Sequence, residues 1–307
     1  MKNLWQTFVR TIFRGLLVGL RFVPLSVASR SAEALGGLGC KLSKRYRDVA
    51  DKNLIFAFGD AWTPEDRRRV TSRVFRNFAR AALAEFLKAP SMTPDQIRKL
   101  VRVDNWDKVD TVLSRGKGMI LVTAHFGNFE LLARRAALDG YSFVVVARQS
   151  PDEGFNAITD YIRENGGYKV HARGASPKPL LQQLRRGGII AILPDQKSED
   201  VFVPFFGKLA GTVAGPAVLA LKTGAPILPM FCPHQDDGTY KVDIFDEIDT
   251  HSTGNLEDDS RRIMADITKA IEDEVRLYPD QWLWLHDRWR SVPPDDLVCA
   301  TGPVAAT

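Results

Sequence analysis

From about residue 100 onward, short unbroken apolar runs alternate with longer segments whose apolar positions recur every three or four residues. The runs Met119–Thr123, Phe143–Ala147, Tyr168–His171, Ile189–Leu193, Ile227–Phe231 and Tyr240–Phe245 read as strands, because they are too short for buried helices. Helix-like segments lie between most of them, at 128–138, 151–164, 177–186 and 212–222, and a long one follows over 256–278. Gly166-Gly167, Gly187-Gly188 and Gly224 stand where a helix must end and the next strand begin. This alternation predicts an α/β fold with a largely parallel central sheet flanked by helices.

The first hundred residues follow another pattern. If residues 4–23 form one helix, Leu4, Phe8, Ile12, Leu16 and Leu20 share a side, with arginines elsewhere. Residues 1–32 hold Lys2, Arg10, Arg14, Arg21 and Arg30 and no acid. The most apolar run, Gly15–Leu20, is six residues long, whereas a signal peptide needs roughly 7–15 and a spanning helix roughly 20. Three readings stay open: a helix lying among lipid headgroups, one packed on the protein's own core, or a short tilted span with snorkelling arginines. Flanking positive charge would keep the bulk of the protein on the cytoplasmic side. A second helix begins at Pro64, with Thr63 as N-cap and Glu65 and Asp66 in its first turn. Val70, Val74, Phe75, Phe78, Ala82 and Phe86 form its core stripe. Arg67, Arg68, Arg69, Arg73, Arg76 and Arg80 form a ridge that either meets phosphate groups or is simply solvated. The expected organisation is a membrane-associating helix over 1–30, a helical region over 31–100, the α/β domain over 101–292, and a loose tail over 293–307.

Charge sharpens this division. Residues 1–117 carry 23 Lys/Arg against 11 Asp/Glu, and residues 118–307 carry 19 against 26. A basic front half points to an anionic partner, either a membrane surface or nucleic acid. Nucleic acid is the weaker choice, since there is no zinc-finger spacing and no aromatic-rich RNA motif. Cys40, Cys232 and Cys299 are far apart, with no CxxC spacing, which argues against a disulfide framework or structural zinc. A Gly-x-Ser-x-Gly elbow and a Walker A motif are both absent from the sequence, which disfavours serine hydrolases and nucleotide enzymes.

The candidate chemistry lies just past the strand at Met119–Thr123. Among five histidines only His125 has an acid five residues on, Glu130. On a continuous helix residues five apart are about 140° from one another and do not meet. They meet only if His125 sits in a loop before the helix that carries Glu130. Gly127 permits such a turn, and Asn128 is a good N-cap for that helix. Glu130 would then fix one imidazole nitrogen and raise the basicity of the other, making His125 a general base for an alcohol attacking an acyl thioester. Backbone N–H groups of the turn or a nearby arginine would receive the oxyanion.

His125-Phe126-Gly127-Asn128-Phe129-Glu130 resembles the His-x4-Asp/Glu motif of the glycerolipid acyltransferase superfamily, most closely its branch of bacterial lipid A late acyltransferases (lauroyl and myristoyl transferases). Further blocks resemble that branch in order: 51–58, Pro194-Asp195-Gln196, 201–207 (Val-Phe-Val-Pro-Phe-Phe-Gly), 210–215, 222–226, and the Trp-rich 281–289. The resemblance spans about residues 1–290. It implies a glycerolipid-acyltransferase-like fold and a fatty acyl chain moved from acyl carrier protein, or coenzyme A, to a hydroxyl of a membrane glycolipid such as a lipid A precursor. The place implied is the cytoplasmic face of the bacterial inner membrane. No metal or bound cofactor is implied. Relatives acting on other glycolipids, including acylated mannosides, or on lysophospholipids, and a non-catalytic lipid-binding relative remain alternatives.

Physical readings accompany these blocks. Asp195 and Gln196 follow a strand at the same sheet edge as His125, placed to bind a sugar- or phosphate-bearing acceptor, although Gln196 equally suits a structural turn. Arg148, beyond Phe143–Ala147, either binds a phosphate or oxyanion or is an exposed strand-end arginine. Phe205 and Phe206 either line an acyl groove or fill core. Trp282 and Trp284 either pack internally or meet the membrane interface.

Overall fold

Four of the apolar runs, at 119–123, 143–147, 189–193 and 227–231, become the centre of a six-stranded sheet, where helices cover both faces, while Tyr168–His171 supplies an edge strand. The computed structural model describes residue 15 and residues 19–293. The expected amphipathic helix over 4–23 and the tail after Pro293 therefore fall largely outside the described residues. Helices α1 (Leu25–Leu42), α2 (Lys44–Phe58) and α3 (Pro64–Ala79) come first. A π-helical segment, Arg80–Phe86, continues α3, and α4 (Pro94–Leu100) and α5 (Asp107–Leu113) follow around the short strand β1 (Val101–Arg102).

The α/β region then runs β2 (Met119–Val122), α6 (Phe129–Leu138), β3 (Phe143–Ala147), α7 (Glu153–Asn165), β4 (Lys169–Ala172), α8 (Lys178–Arg185), β5 (Ile189–Ile192), β6 (Val201–Phe205), β7 (Lys208–Thr212), α9 (Gly215–Thr223), β8 (Ile227–Phe231), β9 (Tyr240–Lys241), β10 (Asp243–Ile244) and α10 (Leu256–Leu277). The main sheet has the order β10-β8-β2-β5-β3-β4. All neighbours in it are parallel except the edge strand β10, which runs antiparallel to β8. Alternate residues of β2 serve opposite faces. Ile120 and Val122 join a core with α9, α10 and the front helices, while Met119 and Leu121 join one with α4, α5 and α6.

Thr63 is the N-cap, as expected, and forms a capping box with Asp66: its hydroxyl accepts from Asp66 N–H while the Asp66 carboxylate accepts from Thr63 N–H. The run at Tyr240–Phe245 divides. Tyr240 and Lys241 pair with β1, and Asp243 and Ile244 pair with β8. The block at 201–207 is half of a β6–β7 hairpin whose turn places Phe206 at φ 51° and Gly207 at φ 70°. Consecutive positive φ values suit the twist of paired strands.

The arginine ridge is not a uniform cationic face. Arg80 is buried against Glu33, Arg67 pairs with Asp51, and Arg69 pairs with Asp66. Among the described residues no helix is long and apolar enough to cross a membrane.

Candidate active site

Strand register explains which groups meet. Val122 of β2 lies beside Ile192 of β5, so residues three further along each strand, His125 and Asp195, leave the sheet side by side. His125 sits in a turn between β2 and α6, as the spacing argument required. Gly127 has φ 54°, and a Cβ there would lie 2.2 Å from the Cys232 carbonyl oxygen, so no other residue fits the turn. Asn128 caps α6, its side-chain oxygen accepting from Leu131 N–H at 3.0 Å.

The carboxylate that holds His125 is that of Asp195, not Glu130. Asp195 Oδ1 lies 2.8 Å from His125 Nδ1, and Oδ2 accepts the His125 backbone N–H at 2.8 Å and Trp282 Nε1–H at 3.0 Å. Glu130 points along α6 to different partners. Its carboxylate accepts two arms of Arg163, the shorter at 2.6 Å, and the Tyr168 hydroxyl at 2.7 Å. Glu130 nonetheless lies close enough to act on His125 through its field.

Burial works against the imidazolium, but Asp195 beside it outweighs this and holds the His125 pKa above its ordinary value. The Asp195 carboxyl is held below its ordinary value, since His125 and Trp282 together outweigh burial. With Nδ1–H donated to Asp195, Nε2 carries the lone pair. Gln196 Nε2 lies 3.3 Å from it.

The His125 side chain is 26% accessible and helps line a cavity of about 850 Å³. Phe78, Ala81, Ala82, Phe86, Phe129, Phe155, Val170 and Leu283 give the cavity apolar walls. Asn128, Glu130, Arg148, Gln149, Ser150, Asn156 and Arg163 give it a polar side. Five residues singled out in the sequence (His125, Gly127, Asn128, Glu130 and Arg148) therefore line one space. Asp195 and Gln196 stand behind and beside His125, rather than reaching out toward an acceptor.

Phe205 and Phe206 lie elsewhere. Both are buried, 1% and 5% exposed, in an aromatic cluster with Trp282, Trp284 and Trp289. Of their two readings, core is the one realised. The turn amides expected as oxyanion donors are engaged as well: His125 N–H on Asp195, Gly127 N–H on Gln281 and Asn128 N–H on Cys232.

The Trp-rich segment is an internal strap. Leu283 N–H donates to the His125 carbonyl, Gln281 accepts from Gly127, and Trp282 holds Asp195. Asn53 of α2 pins the strap in turn, donating to the carbonyls of Trp284 and His286 at 2.7 Å. Among the described residues no cluster of three or more His, Cys, Asp and Glu is arranged to hold a metal ion.

A sequence profile for bacterial lipid A biosynthesis acyltransferases matches residues 3–291. The chain belongs to that family. It is an acyltransferase. It is 26% identical to a lipid A biosynthesis acyltransferase of Haemophilus influenzae, over 88% of this chain and 83% of that one. It is also 26% identical to a phosphatidylinositol mannoside acyltransferase of Mycolicibacterium smegmatis, over 90% of each chain. A lipid A biosynthesis lauroyltransferase of Escherichia coli is 25% identical, over 94% of this chain and 92% of that one. Lipid A and phosphatidylinositol mannoside are thus both named among the substrates of these relatives.

Proposed function

We propose that this acyltransferase moves a fatty acyl chain from a thioester, on acyl carrier protein or coenzyme A, to a hydroxyl of a membrane glycolipid, with a lipid A precursor as the acceptor. One observation carries the reading: an imidazole held by a buried carboxylate lines a large, mainly apolar cavity. An acyl chain suits the Phe78, Phe86 and Phe155 walls. A sugar or phosphate head group suits the side with Arg148, Ser150 and Asn156.

His125 Nε2 takes the proton of the acceptor hydroxyl as its oxygen attacks the thioester carbonyl. The C–O bond forms, the tetrahedral centre collapses with loss of the C–S bond, and the thiolate leaves with the proton returned by His125. Asp195 stabilises the transient imidazolium and keeps the proton on Nδ1. Arg163, fixed by the carboxylate of Glu130, brings positive charge to the cavity wall for the oxyanion or a phosphate. Glu130 thus serves the site by orienting an arginine and adding its field, while the direct partner of the base is Asp195.

Work at the cytoplasmic face of a membrane fits the basic first 117 residues. Attachment there is through the N-terminal segment over residues 1–30. The mannoside acyltransferase relative matches as fully as the lipid A enzymes, which supports an acylated mannoside as the second acceptor class.

The test is incubation of the full-length protein with extracted glycolipids and acyl carrier protein or coenzyme A thioesters of several chain lengths. An acceptor mass increased by one acyl group, dependent on the protein, is the expected result. No acylated glycolipid from any donor would refute the reading.

A further inference from the structure

Behind the His125 turn lies a second polar cluster that the chemistry above does not use. Glu85, 2% exposed, sits in the π-helical segment. Its Oε2 accepts from Asn128 Nδ2 at 2.6 Å and from the Tyr240 hydroxyl at 2.6 Å. Arg80 approaches its other oxygen at 3.6 Å, donates to the Tyr240 hydroxyl at 3.4 Å, and binds Glu33 of α1 at 2.7 Å. The four central groups, Arg80, Glu85, Asn128 and Tyr240, are all buried. A buried carboxylate is costly, and three directed partners are what keep this one in place. Burial pushes the Glu85 carboxyl up, while Tyr240, Arg80 and Asn128 pull the other way.

The π-helix is the device that builds the cluster. Arg80 and Glu85 are five apart, and on an α-helix they would face about 140° from one another. The wider i→i+5 winding brings both to the inner side. Asn128 is the link to the site. Its amide has one orientation that satisfies both neighbours, with the oxygen on Leu131 N–H and the nitrogen on Glu85. The same residue lines the cavity and follows the His125 turn.

We infer that Glu85 is a positioning residue for acyl transfer, acting through Asn128 to hold the His125 turn and the first turn of α6 in register with the cavity. The inference rests on the proposed role of His125. Replacing Glu85 by Gln keeps the volume but puts an NH2 group against either the Asn128 amide donors or the Arg80 guanidinium. The cap on Leu131 then loosens, and the turn drifts relative to bound substrate.

A double-mutant cycle on the full-length protein tests this, with Glu85→Gln, Asn128→Ala and the pair. Steady-state transfer is measured beside the hydrogen-exchange protection of the Leu131 amide. Glu85→Gln is expected to lower kcat about tenfold with KM within about twofold, leave the pKa of the acid limb unmoved, and speed exchange at Leu131. In the Asn128→Ala background the same change is expected to cost no further kcat. Tyr240→Phe, which removes one donor and keeps the fold, is expected to give a smaller loss of the same kind. Independent, multiplicative effects of Glu85→Gln and Asn128→Ala, or a loss of melting temperature with unchanged kcat per folded molecule, would overturn the inference. Full turnover by His125→Ala, run in parallel, would instead remove the functional reading beneath it.

Discussion

Asp195→Asn separates the carboxylate that holds His125 from the one that merely stands nearby. Three N–H groups converge on the two oxygens of Asp195: His125 Nδ1–H, the His125 backbone and Trp282. An asparagine offers one oxygen, so its NH2 must face one of these donors. If it faces Nδ1, the imidazole moves its proton to Nε2, and the nitrogen toward the cavity no longer has a lone pair. A positioned general base is worth about 10²–10⁴ in rate, or about 3–5 kcal/mol of barrier, and most of that is expected to be lost from kcat. The pH profile provides a second signature. Activity requires neutral His125 and so rises with pH through its pKa, which lies above the ordinary 6.5 because of Asp195. In the variant burial remains and the carboxylate charge is gone, so the acid limb moves to lower pH. The contribution of this pair to stability runs in the opposite sense: His125 contributes it below pH 6.5 and loses it as pH rises through the raised pKa. The assay is kcat against pH with glycolipid and thioester, and circular dichroism to confirm folding. A folded Asp195→Asn protein with wild-type kcat and an unmoved acid limb would refute the reasoning.

Other outcomes follow from the same geometry. Glu130→Gln leaves Arg163 and Tyr168 with a weaker acceptor, and about 1–3 kcal/mol of stability is expected to go by denaturant titration, with the acid limb of the pH profile moving far less than in Asp195→Asn. Gly127→Ala forces a Cβ to within 2.2 Å of the Cys232 carbonyl at positive φ; a cost of about 3 kcal/mol or more is expected, and a melting temperature equal to wild type would contradict it. Ala81→Trp fills part of the apolar wall, and competition among thioesters of different lengths is expected to shift the product toward shorter chains.

How far the sequence carried can be traced residue by residue. Strands β3 and β8 match the expected Phe143–Ala147 and Ile227–Phe231, since interior strands of a parallel sheet flanked by helices read as unbroken apolar runs. His125 is legible as a loop residue because it stands just past an apolar strand and is followed by Gly127 and the N-cap Asn128; the spacing argument reached the same place from a pairing with Glu130 that the structure does not make. The partner of His125 was not legible. Asp195 lies 70 residues on and becomes a neighbour only because β5, rather than β3, lies beside β2 in the sheet. A motif within six residues drew attention to Glu130, whose position on α6 in fact turns it toward Arg163 and Tyr168. Asp195 was visible as a strand-end acid at the right edge, and that signal, combined with strand order, would have found it. The π-helical segment left no mark in the periodicity, so Glu85 read as one more position on an arginine-rich helix. Phe205 and Phe206 carried two readings because apolar residues look alike in core and groove. The packing around Trp284 and Trp289 selects core.

The central claim is that His125 Nε2 is the base for glycolipid acylation. His125→Ala removes that group, and with it the Nδ1–H partner of Asp195, from a turn held by Gly127, Asn128 and the Trp282 strap. Mass analysis of glycolipid product, with the variant shown folded by circular dichroism, measures the consequence directly. A fall in transfer of about 10²-fold or more is the predicted result. Turnover by folded His125→Ala at the wild-type rate would contradict the account.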